Sequence, residues 1–126
     1  MSNSDRVRAF IDAFNRKDID AVVVAFTDDA VYHNMMVAPL VGRAAIQASI
    51  AGYTSPASQI DWVMCAVAET ADGKVLTERI DRFHIGGKWI ELPVMGTFEF
   101  VDGRISAWRD YFDMNQFTSQ MPGKPA

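Results

Sequence analysis

Cysteine is nearly missing from this chain: Cys65 stands alone among 126 residues. A lone cysteine cannot close an internal disulfide, which fits a reducing compartment. Its place in the apolar run WVMCAVA predicts a buried, inert thiol rather than a nucleophile. Positive charge is also short. Twelve Lys and Arg against sixteen Asp and Glu leave a formal charge of -4, and no basic stripe is visible. That balance speaks against nucleic acid or an anionic membrane as a partner. No apolar stretch approaches the length that spans a bilayer, and the opening MSNSDRVRAF has no signal-peptide core, so the expected location is cytoplasmic. The spacings that mark a P-loop, a dinucleotide-binding turn, a His/Cys metal cluster or a nucleophile elbow do not occur. Neither a cofactor nor a metal is implied.

What is present is ordinary globular composition, 49% hydrophobic and 22% charged. It predicts one domain over residues 1–126, large enough to bury a core of its own. Residues 1–4 and 120–126, the latter almost entirely the Pro-containing MPGKPA, are expected to be loose. Val7, Phe10, Ile11 and Phe14 recur on one helical face behind a cap at Ser4 or Asp5. Ile19, Val22, Val23 and Phe26 repeat that spacing behind Asp18, until TDDA interrupts it. AVYHNMMV reads as a short strand, and GRAAIQASIAGY, with Ile46 and Ile50 one turn apart, reads as a third helix.

From Ser58 onward the pattern changes. Asp72-Gly73, Gly86-Gly87 and Asp102-Gly103 punctuate strand-like runs and supply the positive φ angles of tight hairpins. They predict a meander at about 59 to 70, 74 to 85, 88 to 101 and 104 to 113. The expected architecture is α+β: a curved, mainly antiparallel sheet forming a cone, with the N-terminal helices on its concave face. Residues 62–68 lack polar alternation, as in a strand covered on both sides. A homodimer packed sheet to sheet is therefore expected.

The chemistry begins in TERIDRF, residues 77–83. Side chains alternate along a strand, so Val75, Thr77, Arg79, Asp81, Phe83 and Ile85 share one side, and a charged pair is set into an otherwise core-like face. Burying either charge alone costs several kcal/mol, so such a pair is either fully partnered or functional. Asp110, flanked on its own strand face by Trp108 and Phe112, offers a second carboxylate. Two carboxylates joined by one guanidinium in a dry pocket can settle in different protonation states, the pattern of an acid/base pair. A plain structural salt bridge carries equal weight from these residues alone. Tyr32 and Asn34 share a side of the first strand and together could hold a water. Met35 or Met36, Phe83, Leu92, Val94, Phe98, Trp108 and Phe112 are the expected apolar lining, and the Met side chains suit a lipophilic ligand of variable shape. His33 and His84 lie outside this set.

Taken together, YHN at 32–34, ERID at 78–81, LPVMGTFEF at 92–100 and WRDYFD at 108–113 resemble the limonene-1,2-epoxide hydrolase family. That family shares a cone-shaped α+β fold with nuclear transport factor 2, ketosteroid isomerase and the SnoaL-like polyketide cyclases. The resemblance covers nearly the whole chain and departs at the N-terminus, which is shorter here. It implies a cofactor-independent hydrolase that adds water to a small lipophilic epoxide to give a vicinal diol, with no covalent intermediate. Asp110 would be the general base, Asp81 the general acid and Arg79 the bridge, with Tyr32 and Asn34 holding the water. Other members of the superfamily supply the alternatives: isomerase or cyclase chemistry, or a non-catalytic ligand-binding module.

Overall fold

Ser2 begins the first helix. Its hydroxyl accepts from the Asp5 backbone N–H while the Asp5 carboxylate accepts from the Ser2 backbone N–H, a reciprocal capping box that starts α1 (Asn3–Asn15). Ser4 instead donates to Glu69 in a neighbouring strand. Of residues 1–4, Ser2, Asn3 and Ser4 thus carry side-chain hydrogen bonds. The computed structural model describes residues 1–123; of the tail expected to be loose at 120–126, the last three residues lie outside the described residues, and Gln120 at its start is hydrogen-bonded to the Glu91 backbone.

Asp18 caps α2 (Ile19–Val24) through its side chain, as its position predicts. The helix then stops short of Phe26, which opens β1 (Phe26–Asn34). The TDDA segment is not a break between elements but an irregular stretch of that strand, where the register against its neighbour shifts between Phe26 and Val31. Such a bulge lets Asp28 and Asp29 face solvent, and Asp28 pairs with Arg43 at 2.8 Å. A short β2 (Leu40–Val41), not foreseen from the sequence, pairs with β1 and leads into α3 (Arg43–Thr54), whose Ile46 and Ile50 are buried.

The meander follows closely as expected: β3 (Gln59–Glu69), β4 (Val75–Ile85), β5 (Lys88–Val101) and β6 (Arg104–Tyr111). At the last hairpin Asp102 and Gly103 both adopt positive φ, 50° and 78°, which places an Asp-Gly pair where a tight turn requires it. The chain ends in α4 (Met114–Thr118), a second element the sequence did not announce. The sheet order is β2-β1-β6-β5-β4-β3, antiparallel throughout except for the β1–β6 pair. That parallel pairing brings the N-terminal strand beside the C-terminal one, setting Tyr32 opposite Trp108 and Asn34 opposite Asp110.

The helices cover one face of the sheet. Phe10 of α1 stands edge-on to Phe14, Phe26, Phe98 and Trp108, with ring centroids 5.1 to 5.9 Å apart, the arrangement favoured by aromatic quadrupoles. The other face of the sheet has no such cover among the described residues. Val63, Leu76, Met95 and Tyr111 are 40% to 51% exposed there, and Cys65, expected to be buried, is exposed beside a register shift between Met64 and Ala66. The apolar run at 62–68 is therefore covered on one side only within this chain: Trp62 points to the helices and Val63 does not.

Candidate active site

Strand β4 obeys its predicted alternation along its whole length: Val75, Thr77, Arg79, Asp81, Phe83 and Ile85 are all buried. Arg79 is fully enclosed, and the five N–H groups of its guanidinium account for five hydrogen bonds. Nε and Nη2 donate to Asp81 at 3.0 and 2.9 Å. Nη1 and Nη2 donate to Asp110 at 3.2 and 2.8 Å, and Nη1 also reaches Thr77 Oγ1 at 3.1 Å. The guanidinium thus forks to both carboxylates at once, and it lies 5.4 and 5.8 Å from the ring centres of Trp62 and Trp108.

The two carboxylates are not held alike. Asp110 accepts a further hydrogen bond, 2.7 Å long, from the Trp108 indole N–H, while among the described residues Asp81 accepts from Arg79 alone. Burial pushes the Asp81 carboxyl up to about 6; the charge and hydrogen bonds of Arg79 oppose the rise, and the charge of Asp110 adds to it. For Arg79 burial works against the charged form, but Asp110 and then Asp81 outweigh it, so the guanidinium stays charged. A buried cluster of one cation and two acids can therefore hold one proton between the acids.

Gly96 makes the cluster possible. It lies between Thr77 on β4 and Asp110 on β6 in the ladder. A Cβ at this position would collide with Asp110 Oδ1 and stand 2.6 Å from Arg79 Nη1. The alternation of side chains along β5 gives no sign of this role. A glycine opposite Asp110 in the ladder, on the same face as Arg79 one pair further along β4, is the signal that could have revealed it.

Above the cluster is a cavity of about 110 Å³. Asp81, Asp110, Tyr32 and Asn34, with the Tyr53 hydroxyl, provide its polar groups, and its walls include the expected Phe83, Leu92, Val94 and Phe112. Tyr53, Trp62, Met114 and Phe117 also line it and were not foreseen as lining. Arg79 supports the floor from behind. Four expected lining residues belong elsewhere. Met35 and Met36 lie past the end of β1, where the chain turns away from the sheet, and are 37% and 40% exposed. Phe98 packs deeper, in the aromatic core against Phe10 and Trp108. Trp108 is wholly buried and acts on the site through its hydrogen bond to Asp110.

Tyr32 stacks on Trp108, 4.3 Å between centroids, and its hydroxyl lies 3.1 Å from that of Tyr53. Both phenols are raised above their ordinary value, first by burial, then by the charge of Asp110 on Tyr32 and by the neighbouring Tyr32 on Tyr53. Asn34 Oδ1 is buried with no hydrogen-bond partner among the described residues, and so is Trp62 Nε1. An amide oxygen in that state beside a carboxylate is a ready acceptor for a small donor such as water. The histidines are engaged outside the cavity, His33 with the Val37 carbonyl and His84 with Ser58. At the mouth, Phe117 packs edge-on against Phe83 at 5.7 Å, and the Gln120 side chain clasps the Glu91 backbone N–H and carbonyl, fixing α4 against β5.

This architecture is that of ketosteroid isomerase-like proteins. A Catenulispora acidiphila protein described as having that fold superposes with a TM-score of 0.83 over 99% of this chain and 96% of the other. Its 20% identity makes this a likeness of fold alone. Within the fold, the chain belongs to the limonene-1,2-epoxide hydrolase family, whose catalytic-domain model matches residues 1–123. It is 38% identical over 112 residues to epoxide hydrolase EphG of Mycobacterium tuberculosis, covering 86% of this chain and 71% of that protein. The solved structure of an M. tuberculosis LEH-like epoxide hydrolase superposes with a TM-score of 0.80 at 31% identity, over 93% of this chain and 86% of the other.

The Gly96 contacts generate a direct expectation. Gly96→Ala has to push the carboxylate and guanidinium apart, an overpacking change that costs roughly 1–3 kcal/mol. Its urea midpoint should fall accordingly, and turnover should fall by more than the loss of folded protein explains.

Proposed function

We propose that this chain hydrolyses a small lipophilic epoxide to a vicinal diol in one step, by acid/base catalysis from Asp81 and Asp110. The observation that carries the reading is the fork of Arg79 to both carboxylates at the floor of an apolar cavity. Epoxide opening needs a proton delivered to the departing oxygen while water attacks carbon. Asp81, whose carboxyl is raised to about 6, suits the acid, and Asp110, held by Arg79 and Trp108, suits the base. A water donating one hydrogen to Asp110 and the other to Asn34 Oδ1 turns a lone pair toward the substrate. As its O–C bond forms, its proton passes to Asp110, the C–O bond of the epoxide breaks, and Asp81 protonates the released oxygen.

Charge supports the same assignment. Before reaction the cluster holds Arg79 as a cation, one carboxylate and one carboxylic acid. Afterwards the proton has changed sides and the sum is the same. A buried site gains from this, because no net charge has to be created away from water. Arg79 also argues against the isomerase alternative. An acid that stabilises an enolate must stay neutral through the reaction, and a guanidinium within hydrogen-bond distance of both acids favours their ionised forms. The lipophilic preference rests on the carbon walls, chiefly Phe83, Leu92, Val94, Phe112 and Phe117.

The exposed apolar side of the sheet supports a homodimer. Val63, Leu76, Met95 and Tyr111 form the side of the sheet that its own helices leave open. Sedimentation should give twice the chain mass at micromolar concentration, and Met95→Glu should return the monomer. A wild-type chain that stays monomeric there rules the dimer out.

For the activity itself, the test is a panel of cyclic and aromatic epoxides with Asp81→Asn and Asp110→Asn beside the parent chain. Each variant should lose at least about a hundredfold in kcat. Turnover should follow a bell-shaped pH profile whose basic limb falls as pH rises through about 6, where Asp81 gives up its proton. No opening above the buffer rate, or full activity in both variants, would sink the hydrolase reading.

A further inference from the structure

A second phenol stands in the cavity with no part in the reaction above. Tyr53, in the last turn of α3, shares the cavity with Tyr32 although the two come from different elements. Their hydroxyls are 3.1 Å apart. Its ring is fixed by near-parallel neighbours, Phe14 at 6.3 Å and Trp62 at 6.4 Å, and by the edge of Phe83 at 6.2 Å.

Two hydroxyls at this distance share one hydrogen bond, so one proton lies between them and the other must go elsewhere. Among the described residues Tyr32 is the partner of the Tyr53 hydroxyl, whereas Tyr32 stands two residues from Asn34 on the same strand and opposite the strand of Asp110. If Tyr32 donated to Tyr53, the Tyr53 proton would be left without a protein acceptor in a largely apolar wall, a costly arrangement. The satisfied order is Tyr53 donating to Tyr32, with the Tyr32 proton directed toward Asn34 and Asp110.

We propose that Tyr53 is a positioning residue: by donating to Tyr32 it commits Tyr32 to donate to the nucleophilic water. The inference rests on the hydrolase reading and deepens it. A water molecule has two hydrogens and two lone pairs. With its hydrogens on Asp110 and Asn34 Oδ1 and one lone pair taken by Tyr32, a single lone pair remains, and it faces the substrate carbon. Without Tyr53 the Tyr32 hydroxyl can rotate, and the water loses that constraint. The consequence belongs to the chemical step rather than to substrate binding, so it separates kcat from KM.

The test is a double-mutant cycle on the full chain, with Tyr53→Phe, Tyr32→Phe and both together, assayed on a cyclic epoxide such as cyclohexene oxide. Tyr53→Phe keeps the ring and should keep the melting temperature within a few degrees. Its kcat should fall about tenfold, the equivalent of one neutral hydrogen bond. KM should change less than twofold, and the same substitution should cost nothing further once Tyr32 is Phe. An unchanged kcat, an equal loss in both backgrounds, or a loss confined to KM overturns the positioning role while leaving the hydrolase reading intact. The Asp110→Asn variant run alongside separates the two failures: if the parent chain opens no epoxide, hydrolase reading and positioning role fall together. A melting temperature far below that of the parent would make Tyr53 a packing residue and also overturns the proposal.

Discussion

One guanidinium shared between two carboxylates governs the interior of this protein. Removing three ionisable groups from water costs several kcal/mol each, and only complete hydrogen bonding offsets it. Arg79 meets that demand with every N–H it has, and the surrounding structure is arranged so that it can. Gly96 leaves out the side chain that would separate the partners, Thr77 takes the remaining donor, and Trp108 ties Asp110 in place. The parallel pairing of β1 with β6 then brings Tyr32 and Asn34 alongside Asp110. Loss of Arg79 would leave two buried acids facing each other without a counter-charge, which ties the stability of the interior to this cluster.

How much of this was legible in the sequence follows from periodicity. Strands have a period of two, so parity alone put Arg79 and Asp81 on the buried face of β4, and turn dipeptides fixed the register that carries Asp110 to them. Residues that leave the ladder were not legible. Met35 and Met36 continue the parity of β1 on paper, but the chain turns after Asn34 and takes them to the surface. Tyr53 sits on a helix, whose spacing gives no register against a sheet, so its meeting with Tyr32 could not be read. Gly96 acts by what it lacks, and α4, five residues with a single ring packed on the cavity, is too short for a helical pattern to emerge. Cys65 and Val63 read as buried because their run is apolar, yet burial of that side needs a surface this chain does not supply.

The cavity joins two environments that ordinarily exclude each other. Its walls are carbon, which suits a lipophilic substrate and keeps the dielectric low; its floor is ionic, which suits proton transfer. The low dielectric strengthens the hold of Arg79 on both acids and raises Asp81 by penalising its charge. A more open floor would bring the Asp81 carboxyl back toward its ordinary value. The fold alone does not set the chemistry, and under the proposed reading these few side chains give it its direction.

The most direct measurement of the central claim is the protonation of Asp81 itself, followed by 13C NMR of labelled aspartate carboxyls, with Asp81→Asn identifying the resonance. The expected titration midpoint lies near 6, well above the ordinary 3.8. An Asp81 carboxyl already ionised at pH 5 would contradict the division into acid and base.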